Sequence, residues 1–132
     1  AKVGKMNLLA ASVQFWAKPE IVDYVSRKDF QPAPEVDSAI IKMVIRPALP
    51  YREAPVPKTS KKYFKNYSKN YYRFIKILFK QPRKTIINNL RQTTNDPRLL
   101  IEKLRVLGIN SNARPQDLSI EKIKQLSKII KV

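Results

Sequence analysis

The segment from residue 61 to residue 80 constrains the fold most, because two kinds of side chain repeat along it with the period of an α-helix. The apolar set is Phe64, Tyr67, Tyr71, Phe74, Ile75 and Leu78. The basic set is Lys62, Lys65, Lys69, Arg73, Lys76 and Lys80. Position 62 lies about 200° around a helix axis from position 64. The pattern therefore predicts a helix with an apolar face for a core and a basic face for solvent or phosphate.

Shorter helical patterns follow this segment. Pro82 ends or kinks the long helix, and a second helix is expected directly after it. Asp96 and Pro97 are typical of the start of a third helix, which Gly108 stops, and Ser119 is the expected cap of a last one. The positions expected to face a core are Ile86, Ile87, Leu90, Leu100, Ile101, Leu104, Leu107, Ile123, Leu126, Ile129 and Ile130. The second half of the chain is thus predicted to be a small bundle of about four helices.

The first half has a different pattern. Residues 6–17 are rich in helix-forming residues, and this pattern stops at Lys18 and Pro19. Residues 20–26 and 36–46 are rich in β-branched side chains and are predicted to be strands. The second strand carries apolar residues on both faces, which indicates a strand buried inside a larger sheet. Residues 47–57 contain four prolines and are predicted to be a linker.

The charge is distributed unevenly along the 132 residues. The chain has 27 basic and 10 acidic residues, a formal net charge of +17. Residues 58–132 hold +15 of this excess, and between Lys58 and Arg91 there are 11 basic residues and no acidic one. Such a field attracts polyanions, so nucleic acid is the favoured partner. A membrane surface and a merely solvated face are the alternatives.

Several functions are excluded by composition. The chain has no cysteine and no histidine, which excludes a disulfide framework, a Cys/His zinc site and a Cys–His or Ser–His–Asp catalytic group within it. We predict no metal site. The sequence has no run of 18 apolar residues, so no membrane span is expected, and its start has no signal-peptide pattern. Nucleic acid rather than a membrane is the expected partner.

The segment Phe30-Gln-Pro-Ala-Pro-Glu-Val-Asp-Ser-Ala39 carries the most specific motif. It is a proline-stiffened loop that presents an aromatic ring before a strand. Such a ring can stack on an unpaired base. Taken from the residues alone, the alternative that Phe30 fills a core beneath the loop is favoured.

This motif resembles the Phe-x-Pro-x-Pro-x-Val-Asp-Ser-Ala motif of KsgA-type rRNA adenine N6-dimethyltransferases of the small ribosomal subunit. Three further segments resemble that family in the same order. Leu9 to Gln14 is similar to its Leu-Ser-Val-x-x-Gln helix, with Ala10 for serine. Residues 79–90 are similar to Phe-x-x-Arg-Arg-Lys-Thr-Leu-x-Asn-x-Leu, with Pro82 for the first arginine, and residues 114–119 to Arg-x-Glu-x-Leu-Ser.

The resemblance implies the C-terminal half of a two-part protein. Residues 1–47 would be the last helix and strands of a Rossmann-like methyltransferase domain, residues 48–57 a proline-rich linker, and residues 58–132 a basic helical rRNA-binding domain. The expected fold class is therefore an α+β fragment followed by a small all-α bundle. The family's glycine-rich cofactor motif and its Asn-Leu-Pro-Tyr motif do not occur here. S-adenosylmethionine is thus expected to bind before residue 1, and no catalytic or cofactor-binding residue is expected in this chain.

The resemblance also assigns site residues. Phe30 would stack on the flipped target adenine, with Pro32 and Pro34 fixing its loop. Asp37 would have a structural, loop-capping role. The residues expected to contact rRNA phosphates are Lys62, Lys65, Lys69, Arg73, Lys76, Lys80, Arg83, Lys84 and Arg91. Arg83 and Lys84 could instead pack against the catalytic domain.

Four further aromatic residues are assigned from the residues themselves. Trp16, Tyr67 and Tyr71 are expected in a core. Tyr72 lies off the apolar stripe and is the exception expected to be available for base stacking.

The implied activity of the complete protein is S-adenosylmethionine-dependent dimethylation of two adjacent adenines near the 3′ end of small-subunit rRNA. It would act in the cytoplasm, as a monomer, on the pre-ribosomal small subunit, and this half alone would be inactive. Two alternatives remain open: a non-enzymatic RNA-binding or ribosome-assembly module, and a mitochondrial transcription factor of the same family that binds DNA.

Overall fold

The computed structural model describes residues 4–45, 58–94 and 96–130, with the backbone alone for residues 58–65. It is an α+β structure, as predicted. The helices are α1 (Leu8–Trp16), α2 (Lys58–Leu78), α3 (Ile86–Leu90), α4 (Pro97–Val106) and α5 (Ile120–Ile129). The strands are β1 (Ala17–Val25) and β2 (Ser38–Ile45), and short 3₁₀ turns span Arg27–Asp29, Arg91–Thr93 and Pro115–Asp117. The linker predicted at residues 48–57 lies outside the described residues.

The helix starts follow the predicted capping chemistry. Asp96 Oδ1 accepts a 2.8 Å hydrogen bond from the backbone N–H of Arg98, and Pro97 opens α4. Ser119 Oγ accepts from the N–H of Lys122 at the start of α5. Gly108, at φ 61°, follows α4 in the left-handed conformation that its lack of a side chain permits. Pro82 lies beyond the end of α2 at Leu78, so the long helix ends before the proline.

The predicted boundary between the first helix and strand is wrong. Helix α1 ends at Trp16, and β1 begins at Ala17 with no loop between them. Pro19 therefore lies inside β1, opposite Met43 of β2. A proline fits there because the described sheet has two strands, and the proline, which lacks an N–H, can occupy a strand with an open edge.

The two strands form an antiparallel ribbon with a bulge between Ile21 and Asp23. Apolar side chains cover both of its faces and most are exposed: Ile21, Val22, Ile40, Ile41, Met43, Val44 and Ile45. The sequence predicted a strand buried in a larger sheet, and among the described residues β2 has only β1 as a partner. A two-stranded ribbon with two apolar faces is marginal on its own in water.

The core lies between the helices, and α1 contributes to it. Met6, Ala11 and Phe15 belong to the same buried cluster as the inward residues of α2 to α5. The sequence pattern predicts α1 as part of the strand region, yet its inner face packs on α2 and α5. The fully buried core side chains include Tyr71, Phe74, Ile75, Leu78, Ile86, Leu90, Ile123 and Leu126.

Three side chains expected to face a core are largely exposed. Trp16 is 36% exposed at the end of α1. Ile101 and Ile129 lie at the outer edges of α4 and α5, at 44% and 38%. The apolar stripes of α4 and α5 are therefore narrower than their sequences suggested. The core contacts of these two helices come from Leu100, Leu104, Ile123 and Leu126.

Tyr71 combines burial with a satisfied polar group. Its side chain is fully buried, and its hydroxyl donates a 2.9 Å hydrogen bond to the carbonyl of Ala11 in α1. Burial raises the pKa of the Tyr71 phenol, and the neighbouring Tyr67 and Tyr72 hydroxyls raise it further. The neutral phenol is therefore a structural link between α1 and α2.

Candidate nucleic-acid interface

The described half of α2 separates apolar from basic side chains as predicted. Lys69, Arg73, Lys76 and Lys80 are exposed, and Tyr71, Phe74, Ile75 and Leu78 are fully buried. The side chains of Lys62 and Lys65 lie outside those that the structure describes. The exposed residues form a row along the outer side of α2, here called the basic stripe: Lys69, Arg73, Lys76 and Lys80.

Among the described side chains, no carboxylate pairs with the basic stripe. The ion pair that the described residues form joins Lys18 and Glu20 on β1, at 2.9 Å. Within α2, Lys69 and Arg73 are four residues apart and Arg73 and Lys76 three, and such like-charge pairs destabilise a helix by about 0.2–0.5 kcal/mol each. The stripe therefore does not stabilise the fold, and a polyanion would relieve its repulsion.

The turn after α2 continues the basic surface. Lys80, Gln81, Pro82, Arg83 and Lys84 line an open cavity of about 510 Å³ on this turn. Arg83 and Lys84 are exposed, so within the described chain they do not pack against the strands. We call residues 80–84 the basic turn.

Asn89 holds the basic turn in shape. Its Oδ1 accepts from the N–H of Gln81 at 2.9 Å, and its Nδ2 donates to the carbonyls of Gln81 and Thr85 at 3.0 and 3.1 Å. The Asn89 side chain is buried, so these bonds satisfy it where water does not reach. In the sequence, this asparagine stands out only as part of the motif at residues 79–90. The sequence feature that could have indicated this role is a side-chain amide one turn into a helix that directly follows a tight turn.

The structure brings one more arginine to this corner. The N–H of Ile86 donates to the carbonyl of Ala113 at 2.9 Å, which places the segment at residues 113–114 beside the end of the basic turn. Arg114 is exposed there, with its backbone N–H bonded to Asp117 Oδ2. Arg91, also exposed, follows α3. Arg114 was not among the predicted RNA-binding residues, because the pairing that brings it here joins distant parts of the chain.

Other lysines are engaged within the fold. Lys122 Nζ donates to the carbonyl of Gly108 at 3.0 Å, Lys103 Nζ to that of Ile129 at 3.4 Å, and Lys124 Nζ to that of Phe15 at 3.3 Å. These carbonyls lie at the C-terminal ends of α4, α5 and α1, where the helix dipole favours a positive charge. The lysines therefore fall into two groups. Lys103, Lys122 and Lys124 bond to carbonyls at helix ends, and the side chains of the basic stripe and the basic turn are exposed to solvent.

The Phe30 loop is closed at its base by Asp37. Asp37 Oδ1 accepts a 2.9 Å hydrogen bond from the N–H of Arg27, which confirms its predicted capping role. Arg27 Nη1 also reaches the carbonyl of Glu35 at 3.4 Å. Between these ties the Phe30 ring is 43% exposed. Pro32 and Pro34 are exposed beside it. Within the described chain, Phe30 does not fill a core.

The described residues hold no glycine-rich turn of the kind that binds a nucleotide cofactor. Gly4 precedes α1 and Gly108 follows α4, so neither lies between a strand and a helix. The described helices also include none long and apolar enough to cross a membrane.

Comparison with known proteins agrees with these features. A family model described as ribosomal RNA adenine dimethylase matches residues 1–132. The chain belongs to the ribosomal RNA adenine dimethylase family. The match spans the α1 segment, the Phe30 loop, the basic turn and the last helices.

Its relatives in this family are longer proteins. The chain is 33% identical to ribosomal RNA small subunit methyltransferase A of Mycoplasma mycoides over 124 residues, which cover 94% of the chain and 42% of the relative. It is 33% identical to the protein of that name from Chlorobium chlorochromatii, covering 95% of the chain and 40% of the relative. The chain thus spans less than half the length of these relatives.

Two solved structures share the fold. The crystal structure of the 23S rRNA methyltransferase ErmE superposes with a TM-score of 0.62 at 20% identity, over 96% of this chain and 47% of that one. A dimethyladenosine transferase from Plasmodium falciparum superposes with a TM-score of 0.60 at 21% identity, over 98% of this chain and 51% of that one. The arrangement of ribbon and helices therefore occurs within larger methyltransferase structures.

Proposed function

We propose that this chain is the substrate-holding, C-terminal part of an S-adenosylmethionine-dependent rRNA adenine-N6,N6-dimethyltransferase. The observation that carries the proposal is the basic stripe, exposed and without carboxylate partners, which continues into the basic turn of a family member. Fixed positive side chains in a row suit the phosphates of one RNA strand. They read backbone and shape rather than base sequence, as expected for an A-form RNA helix.

The proposed substrate is small-subunit rRNA within the pre-ribosomal subunit, methylated at two adjacent adenines near its 3′ end. The phosphate contacts are assigned to Lys62, Lys65, Lys69, Arg73, Lys76, Lys80, Arg83, Lys84 and Arg91, with Arg114 added from the structure. The complete protein is proposed to act in the cytoplasm as a monomer.

Phe30 is the proposed contact with the target base. Its exposed ring is held by a loop that Asp37 closes, with Pro32 and Pro34 limiting the loop's freedom. Stacking of a base on such a ring contributes roughly 1–3 kcal/mol. An adenine must leave its helical stack before its amino group can react, and a ring at this place would hold it outside.

The methyl donor is assigned to residues that precede this chain. The described residues do not fit S-adenosylmethionine, because no strand is followed by a glycine-rich turn. The two apolar faces of the β1–β2 ribbon suit strands and helices of such a preceding part. The proposed division of the chain stays at 1–47, 48–57 and 58–132, with the inner face of α1 packed on the helical part. This chain alone is accordingly expected to transfer no methyl group to pre-ribosomal subunits.

A salt titration of RNA binding tests the RNA-holding role. In a triple variant, Lys69, Arg73 and Lys76 are each replaced by Glu, and affinity for an rRNA hairpin is measured between 50 and 200 mM salt. We expect weaker binding and a dependence of log K on log[salt] that is shallower by up to about three. The control replaces Lys5, Lys28 and Lys42, exposed elsewhere, with Glu, so the net charge is the same. Equal losses in both variants would show that only net charge matters.

A non-enzymatic RNA-binding or ribosome-assembly module is the second candidate. One observation favours it: the helical core includes α1, and the side chains of this core are buried within the chain itself. The reading frame upstream of residue 1 separates the two. An Asn-Leu-Pro-Tyr segment there supports the enzyme, and a start codon near Ala1 supports the module.

A further inference from the structure

Tyr72 lies on the border between the two faces of α2. At about 100° per residue, it is about 40° around the axis from Lys76 and about 60° from Lys69. On its other side lie the buried Ile75 and Tyr71. Tyr72 itself is half-buried and packs against the core. It is thus the aromatic side chain of α2 that adjoins both the basic stripe and the core.

The hydroxyl of Tyr72 ties α2 to the end of α1. Trp16 Nε1 donates a hydrogen bond to the Tyr72 oxygen, and the Tyr72 hydroxyl lies 3.5 Å from the carbonyl of Ser12. Both partners are in the last turns of α1. The hydroxyl of Tyr72 is therefore engaged with α1, and its ring is half-buried against the core. The expectation that this ring stacks on a base stays a prediction.

The end of α1 sets the direction of the strand ribbon. Trp16 is the last residue of the helix and Ala17 the first of β1. Ala17 is buried, and its N–H donates to the carbonyl of Val13. Among the described residues, the ribbon packs against α1 and is otherwise mostly exposed, so within this chain its orientation depends mainly on this junction. The Phe30 loop at the far end of the ribbon turns with it.

We propose that Tyr72 is a positioning residue that fixes the strand ribbon, and with it the Phe30 loop, relative to the basic stripe. The inference rests on the proposed function, in which the stripe holds RNA and Phe30 holds the target base. Packing of Phe15 on Tyr71 keeps α1 against the bundle. The directional hydrogen bonds of Tyr72 set the rotation of the end of α1. RNA on Lys69 and Lys76 would lie directly beside this link.

A distance measurement tests the positioning role. The chain has no cysteine, so spin labels on cysteines at Asn88 in α3 and Lys42 in β2, both exposed, report a single distance between bundle and ribbon. We expect a narrow distribution in the otherwise unchanged chain and one at least twice as broad, or displaced, in Tyr72→Phe, which keeps the ring and loses its hydrogen bonds. Tyr24→Phe, an exposed tyrosine on the ribbon, is the matched control and should change nothing.

Two further readouts separate positioning from other roles. RNA affinity of Tyr72→Phe should stay within twofold of the parent, because the basic stripe is intact. Trp16→Phe should broaden the distribution as Tyr72→Phe does, and the double variant no further. An unchanged distance distribution in Tyr72→Phe overturns the proposal. If RNA affinity falls strongly at the same time, Tyr72 contacts RNA instead of positioning the ribbon. If the parent chain does not bind RNA, the proposed function fails while the distance result still decides what Tyr72 positions.

Discussion

The ring of Phe15 in α1 stacks on the ring of Tyr71 in α2, with centroids 4.2 Å apart and planes inclined by 24°. Lys124 Nζ lies 5.3 Å from the Phe15 ring centroid and donates to the Phe15 carbonyl. One residue of α1 therefore contacts both α2 and α5. This contact makes the helix before the strands part of the helical core.

Phe15→Ala is expected to destabilise the whole bundle. Removing a buried phenylalanine ring costs about 3–5 kcal/mol through lost burial and the cavity left behind. The control is Leu9→Ala on the same helix, where the side chain is 74% exposed and the loss should stay below about 0.5 kcal/mol. Urea unfolding followed by circular dichroism measures both. A loss below about 1 kcal/mol for Phe15→Ala would show that α1 is not part of the cooperative core.

Alkaline pH should reveal the burial of Tyr71. Its pKa is raised by burial, so above the ordinary tyrosine pKa of about 10 the unfolded chain ionises at this residue and the folded chain does not. The contribution of Tyr71 to stability is thus complete below pH 10. It then decreases by about 1.4 kcal/mol per pH unit until the raised pKa is reached.

Tyr71→Phe isolates this effect from the titration of the many lysines. The variant lacks the hydrogen bond to the Ala11 carbonyl, so it should be less stable at neutral pH by about 1 kcal/mol. Its deficit should shrink above pH 10, because it has no phenol to ionise in the unfolded state. Unfolding free energies of both proteins from pH 7 to pH 11 give the comparison. A deficit that stays constant with pH contradicts the raised pKa.

Much of the bundle was predictable because its signals are local. Caps such as Asp96 and Ser119, and the period of α2, depend on residues within a few positions of one another. The packing partner of α1 was not predictable, because a helical pattern indicates which face is apolar but not which element covers that face. Trp16 illustrates the limit: its size suggested a core, and its hydrogen bond to a tyrosine 56 residues away holds it at the edge. Arg114 reached the site through the bond between Ile86 and Ala113, which also joins residues far apart in the chain.

Asn89→Ala should weaken RNA binding without changing charge. The substitution removes the side-chain bonds from Asn89 to Gln81 and Thr85, so the part-buried N–H and carbonyl of Gln81 lose these partners at a cost of about 1–3 kcal/mol. The basic turn would lose its shape, and Arg83 and Lys84 their fixed places. Asn88→Ala, next to it and exposed, is the control. The result to look for is a several-fold loss of hairpin affinity in a variant that remains folded; equal affinity for both variants means that the turn does not contact RNA.

The division of the lysines predicts opposite effects of the same substitution. Replacing Lys103 and Lys122 with Gln removes the donors to the Ile129 and Gly108 carbonyls, so stability should fall by about 0.3–1 kcal/mol per residue. Replacing Lys69 and Lys76 with Gln relieves repulsion within the basic stripe, so stability should stay equal or rise. RNA affinity should fall more in the second pair. Thermal unfolding and RNA titration on the two double variants, which carry the same net charge, decide whether the division holds.

Phe30→Ala, made in a complete family enzyme that carries this chain, should lower turnover more than rRNA affinity. The ring is exposed on a closed loop, so its loss leaves the core and the basic stripe intact. Base stacking of roughly 1–3 kcal/mol corresponds to a loss of about 5- to 150-fold in the methylation rate if it is realised only with the flipped adenine. Asp37→Asn keeps the shape of the side chain but weakens the bond to the Arg27 N–H, so a smaller loss in the same direction is expected. Single-turnover methylation and equilibrium rRNA binding, measured on both variants, separate the effect on the methylation rate from the effect on rRNA affinity. Normal turnover in Phe30→Ala would show that the ring does not hold the base.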